Sequence, residues 1–210
     1  MDEEAWLHGT EVYFDKWKLP LGKQPHKGGM DSHSAIFFTT SREYALGAAN
    51  GRGGICSAKL LSTANVLDMN NCPNAVSERY RMQVAQKNIG KRNPQIIYSQ
   101  YWREGWRSGG IMKYAPSSPQ EAAIIQQKAN LEIHAKHTPQ DAAAHNELQL
   151  LTRNVIEELV VSARELGYEA VIGNEIDTLH PLGHKTYKIM VALTTKAITE
   201  PVWVSKPREG

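Results

Sequence analysis

The sequence predicts an α+β fold in which two β-rich ends close into one mixed or antiparallel sheet around a mostly helical middle. Three observations carry this. Residues 5–69 break into short apolar runs rich in β-branched and aromatic side chains, residues 70–165 turn to helical spacings and helix-start signals, and residues 168–204 return to strands. Strands, then helices, then strands do not make successive βαβ units, so the two ends are expected to pair with each other. With 210 residues, 41% of them hydrophobic, the chain is long enough for one sizeable core. It is read as a single domain, 1–210, with 70–165 as a helical insertion or subdomain.

Charge and composition weigh against several function classes. Twenty-four Lys and Arg against 22 Asp and Glu leave a net charge of +2, too balanced to draw nucleic acid or an anionic membrane by bulk attraction. No apolar run approaches the roughly 20 residues of a spanning helix, and no basic-then-apolar secretory signal opens the chain, so a soluble protein is expected. Cys56 and Cys72 form no CxxC pair and are read as free thiols, with no metal site expected.

In chain order, Trp6-Leu7-His8-Gly9-Thr10 is an apolar lead-in that ends on an imidazole, a bare backbone and a hydroxyl, the pattern of a strand opening onto a site. Val12, Tyr13, Phe14 and Trp17 share a helical spacing, so a short helix or turn is expected there. Residues 19–34, rich in Gly, Pro, Lys and His, cannot pack a core and form a long loop, either functional or plain surface. Ile36-Phe37-Phe38-Thr39 is a strand running into Ser41, the cap of a helix that ends near Ala49 before Asn50-Gly51. Residues 55–61 and 64–69 read as two strand segments joined across Ser62-Thr63.

The middle third holds a helix from Val76 to Lys87 and two further helix openings at Ser118-Pro119 and Thr138-Pro139. The second continues to about Glu165, where Gly167 stops it. Between the first helix and Ser118, Tyr98, Tyr101, Trp102 and Trp106 fall at helical spacings among arginines; one buried helix face is preferred, with a partner-binding surface as the alternative. Residues 168–173 form a strand, with Glu175 and Asp177 in the polar loop after it, and strands are expected at 185–193, 197–198 and 202–204.

His8-Gly9-Thr10, then Ile36-Phe37-Phe38-Thr39 leading into a helix, then Asn65-Val66-Leu67-Asp68 and Gly167-Tyr168-Glu169-Ala170-Val171-Ile172, occur in an order that resembles the ADP-ribosyltransferase superfamily. The likeness is to its histidine-containing, diphtheria-toxin and poly(ADP-ribose)-polymerase side. It covers about residues 5–69 and 164–200 and leaves the helical middle unexplained. The resemblance implies a split mixed or antiparallel sheet that holds NAD as substrate and breaks its nicotinamide–ribose bond.

By the same resemblance His8 holds a ribose hydroxyl of the adenosine half, Gly9 grips the nicotinamide amide through its backbone, and Thr10 supports a ribose hydroxyl. Phe37 stands where the family usually has a tyrosine, keeping the aromatic face that stacks on nicotinamide. Ser41 and Tyr44 complete the cofactor contacts, and residues 18–33 fold over the adenosine. The family's glutamate stands before a late strand, but residues 183–187 here carry no carboxylate, and Glu175 is the nearest candidate. The expected activity is mono-ADP-ribosyl transfer to a protein side chain, docked through Tyr98, Tyr101, Trp102, Trp106 and the insertion. An exported bacterial effector acting on a host protein, ubiquitin among the possibilities, fits that class. The alternatives are an NAD glycohydrolase toxin and a binding module without chemistry.

Overall fold

The computed structural model describes residues 5–20, 33–49, 53–87, 106–107, 156–157, 159–177 and 185–207. Eight strands lie in one mixed sheet: β1 (Trp6–Thr10), β2 (Ile36–Thr39), β3 (Gly54–Ala58), β4 (Val66–Asp68), β5 (Trp106–Arg107), β6 (Ala170–Asp177), β7 (Lys185–Ala192) and β8 (Val202–Ser205). The order across the sheet is β4-β6-β7-β2-β1-β3-β8, with β5 beside β6. The two ends of the chain do pair, β2 with β7 and β3 with β8, both antiparallel. Only β4 and β5 run parallel to their neighbour β6.

The alternation of the strands sorts side chains onto two faces. On one face Leu67, Val171, Ile189 and Val191 pack with Tyr80, Leu159, Val160 and Ala163 from the helices. On the other, Trp6, Ile36, Phe38, Cys56, Met190 and Ala192 pack with Trp17.

Three helices are described. Helix α1 (Arg42–Ala48) starts where Ser41 Oγ accepts the Tyr44 backbone N–H at 3.2 Å, with Glu43 in its first turn. Helix α2 (Asn74–Lys87) covers the stretch expected from Val76. Helix α3 is described at residues 156–157 and 159–165. It ends in a Schellman motif: Gly167 takes φ +85°, its N–H bonds the Arg164 carbonyl, and the Tyr168 N–H bonds the Ala163 carbonyl.

Several local expectations change. The 11–17 segment is irregular rather than helical, with Val12 and Tyr13 exposed and only Trp17 buried. It is held by indoles: Trp17 Nε1 donates to the Thr199 carbonyl and Trp203 Nε1 to the Phe14 carbonyl, each at 2.9 Å. The segments at 55–61 and 64–69 become β3 and β4, which sit toward opposite edges of the sheet. Of the expected strand at 197–198, Ala197 closes a short 3-10 turn, Thr195–Ala197, capped by Thr194, and Ile198 forms an isolated antiparallel bridge with Leu60. Trp106 lies on a strand rather than a helix, because its backbone pairs opposite Glu175. The helices expected from Ser118 and Thr138, apart from α3, and the residues Tyr98, Tyr101 and Trp102 lie outside the described residues.

Candidate active site

The site begins where the sheet parts. All of β1 pairs with β3 and all of β2 pairs with β7, but β1 and β2 meet only at Leu7↔Thr39. Past that point the two strands diverge, and His8 stands at the opening. Its Nδ1 lies 2.8 Å from the Phe37 carbonyl, which can only accept, so Nδ1 carries the hydrogen. Burial lowers the His8 pKa below its ordinary value, and the bond to Phe37 offsets this in part. The ring is therefore neutral at pH 7, with Nε2 as an acceptor. Trp17 meets it edge-on at 5.6 Å, and Phe38 and Phe14 enclose it further.

Two cavities flank this opening. One, of about 730 Å³, is lined by His8, Phe14, Asp15, Lys16, Trp17 and Lys18 on the aromatic side of the sheet. The other, of about 450 Å³, is lined by Gly9, Thr39, Tyr44, Ala45 and Glu175 under α1. Both volumes are in the range of small-molecule sites. His8, His33 and Phe37 line both cavities, so the two lobes meet at the split.

Of the residues the sequence singled out, His8, Gly9, Phe37, Tyr44 and Glu175 line the smaller lobe together. Thr10 and Ser41 are not among its lining residues. The Thr10 hydroxyl makes a local turn with Val12, and the Ser41 hydroxyl caps α1. Gly9 has a packing reason beyond any ligand: a Cβ there would lie 1.7 Å from the Ala45 carbonyl oxygen. The missing side chain lets α1 lie against β1.

Glu175 is not in a loop. Strand β6 continues through Asn174 to Asp177, because β7 pairs with it to the end. Glu175 sits directly across from Tyr187, near the start of β7. Directly opposed residues on antiparallel strands share a face, with Cβ atoms about 5 Å apart. Glu175 thus shares a face with Tyr187, one strand away from residues 183–187, which carry no carboxylate.

Tyr187 itself did not stand out in the sequence as a site residue. It is buried, and its ring stacks on Tyr44 at 4.3 Å and 13°. Lys185 stands 5.1 Å above that ring and pairs with Glu43 at 2.8 Å, which raises the lysine's pKa. These contacts join α1 to β7 beside Glu175. Strand alternation alone could have put Tyr187 on the Glu175 face, but only once the β6–β7 register was known.

Cys56 is no nucleophile here, since burial pushes its thiol up to about 12. Among the described residues no three His, Cys, Asp or Glu gather where they could hold a metal ion. No helix among them is long and apolar enough to cross a membrane. Comparison with protein-family models, with curated proteins and with solved structures finds no match.

Proposed function

We propose that this chain is an ADP-ribosyltransferase that cleaves NAD at the nicotinamide–ribose bond and passes ADP-ribose to a macromolecular acceptor, most simply a protein side chain. One observation supports this above the others: His8, Gly9, Phe37, Tyr44 and Glu175, far apart in sequence, line one cavity at the parting of β1 and β2. Turn chemistry or core packing at each position alone does not predict their convergence.

In this reading the dinucleotide lies across the split. Nicotinamide occupies the lobe under α1, against the Phe37 ring, and the adenosine half occupies the larger lobe among Phe14, Trp17 and Lys18. The neutral His8 offers Nε2 as acceptor to a ribose hydroxyl. Glu175 accepts the 2′-hydroxyl of the nicotinamide ribose and offsets the positive charge that grows on that ring as the bond breaks. Phe37, with Ile156 and Ile189 of the same lobe, supplies apolar walls that limit water at the reacting carbon.

Incubation with NAD labelled on its adenylate and a cell lysate tests the reading. Label fixed to macromolecules, with nicotinamide released, is the expected outcome. Free ADP-ribose alone would make the protein a glycohydrolase, and no nicotinamide release would leave a binding module.

A further inference from the structure

Ser34 leads into β2, and α3 grips it from two sides. The buried Glu157 carboxylate accepts the Ser34 backbone N–H at 2.8 Å and its hydroxyl at 2.5 Å. Two turns on, Arg164 donates to the Ser34 carbonyl and hydroxyl and to the Leu193 carbonyl. This grip fixes the residue before it. His33 has its ring centroid 5.1 Å from that of Phe37 and its Nδ1 3.9 Å from Glu157 Oε2. It lines both lobes where they meet. At that distance the carboxylate acts on the imidazole through its charge, favouring the imidazolium that forms when the other nitrogen takes a proton.

We propose that His33 accepts the proton of the incoming nucleophile, with Glu157 as its positioning residue, so that helix α3 of the insertion belongs to the active site. This rests on the NAD-cleaving reading above. The bond from nicotinamide nitrogen to ribose C1′ breaks, and its electron pair leaves with neutral nicotinamide. A lone pair on the acceptor's oxygen or nitrogen, or on water, forms the new bond to C1′. The proton of that group passes to His33 Nε2, the nitrogen on the far side of the ring from Glu157, and is later released to solvent. Glu175 stays on the ribose hydroxyl. The charged and titratable groups around His33 are Glu157 and, through Ser34, Arg164 from α3; His8 from β1; Asp15, Lys16 and Lys18 along the larger lobe; and Tyr44 and Glu175 along the smaller.

The test is the pH profile of nicotinamide release by the full chain at saturating NAD, for the wild type, His33→Gln, Glu157→Gln and Glu157→Asp. For His33→Gln, kcat falls about 10²–10⁴-fold while KM stays within about threefold, and the acid limb of the kcat profile disappears. Glu157→Gln moves that limb to lower pH, because the imidazolium loses its neighbouring negative charge, and Glu157→Asp restores part of the shift. A loss of folding in the Glu157 variants leaves the decision to His33→Gln. Unchanged kcat and acid limb in His33→Gln, with the wild type active, overturn the base assignment alone. A wild-type chain that releases no nicotinamide at any pH overturns the NAD-cleaving reading and the base with it.

Discussion

The two faces of the sheet meet at the same cleft but are built for different ends. On one, His8 is enclosed by Phe14, Trp17 and Phe38, and the segment carrying Trp17 is fastened by indole-to-carbonyl bonds. On the other, Phe37, Tyr44 and Glu175 line a lobe under α1, with His8 and His33 at its mouth. The first is closed by aromatic packing around His8, with Asp15, Lys16 and Lys18 along its cavity. In the proposed reading the second holds the reacting bond. Substitution of Trp17 on the first should therefore lower stability, and substitution of Glu175 on the second should lower turnover with stability preserved.

The largest expected effect is on the aromatic face. Trp17→Ala removes a buried indole and its bond to Thr199, and should destabilise the chain by about 3–5 kcal/mol in urea unfolding. Glu175→Gln tests the other face. Nicotinamide release should fall about 10²–10³-fold, with an unchanged urea midpoint. If Glu175→Gln unfolded the protein and Trp17→Ala did not, the contrast between the faces would be gone.

Gly9 joins the two faces, since its backbone lies at the split and α1 rests on it. A Cβ 1.7 Å from the Ala45 carbonyl oxygen forces α1 away, so Gly9→Ala should cost about 3 kcal/mol and weaken NAD binding as well, measured by calorimetry.

These predictions also show what the sequence could reveal. Helix caps and stops are local, so Ser41, Gly167 and the bounds of α1 and α2 were legible, and the order of strands, helices and strands was enough to anticipate that the chain's ends pair. The split between β1 and β2 was not, because which strands stop pairing is a non-local property. Proximity in sequence points to Glu175 but puts it in a loop, whereas its position comes from the β6–β7 register. The resemblance gives Gly9 a ligand-facing backbone, yet its first neighbour is Ala45 on a helix whose placement is non-local. The 11–17 segment departs from a helix because indole-to-carbonyl bonds fix its backbone, and of its aromatic residues only Trp17 is buried. His33, Glu157 and Tyr187 carry no motif and become visible only through packing.

A smaller effect is the pH dependence of the aromatic face. The folded His8 pKa is lowered below 6.5 by burial, so the unfolded chain binds the extra proton first on acidification. Its contribution to stability is complete above pH 6.5 and is lost as pH falls through the folded value; His8→Gln should flatten that part of the stability profile. The smallest effect belongs to the exposed Lys185–Glu43 pair. Replacing both by Met and Gln should leave the urea midpoint unchanged, because α1 is held by its seat on Gly9 and the Tyr44–Tyr187 stack rather than by surface charge.

A crystal structure of the Glu175→Gln protein with NAD addresses the central claim most directly. The account predicts nicotinamide against Phe37 in the lobe under α1, its ribose 2′-hydroxyl within hydrogen-bond distance of residue 175, and the adenosine half beyond His8 in the larger lobe. NAD bound away from both lobes, or absent from them at saturating concentration, would contradict it.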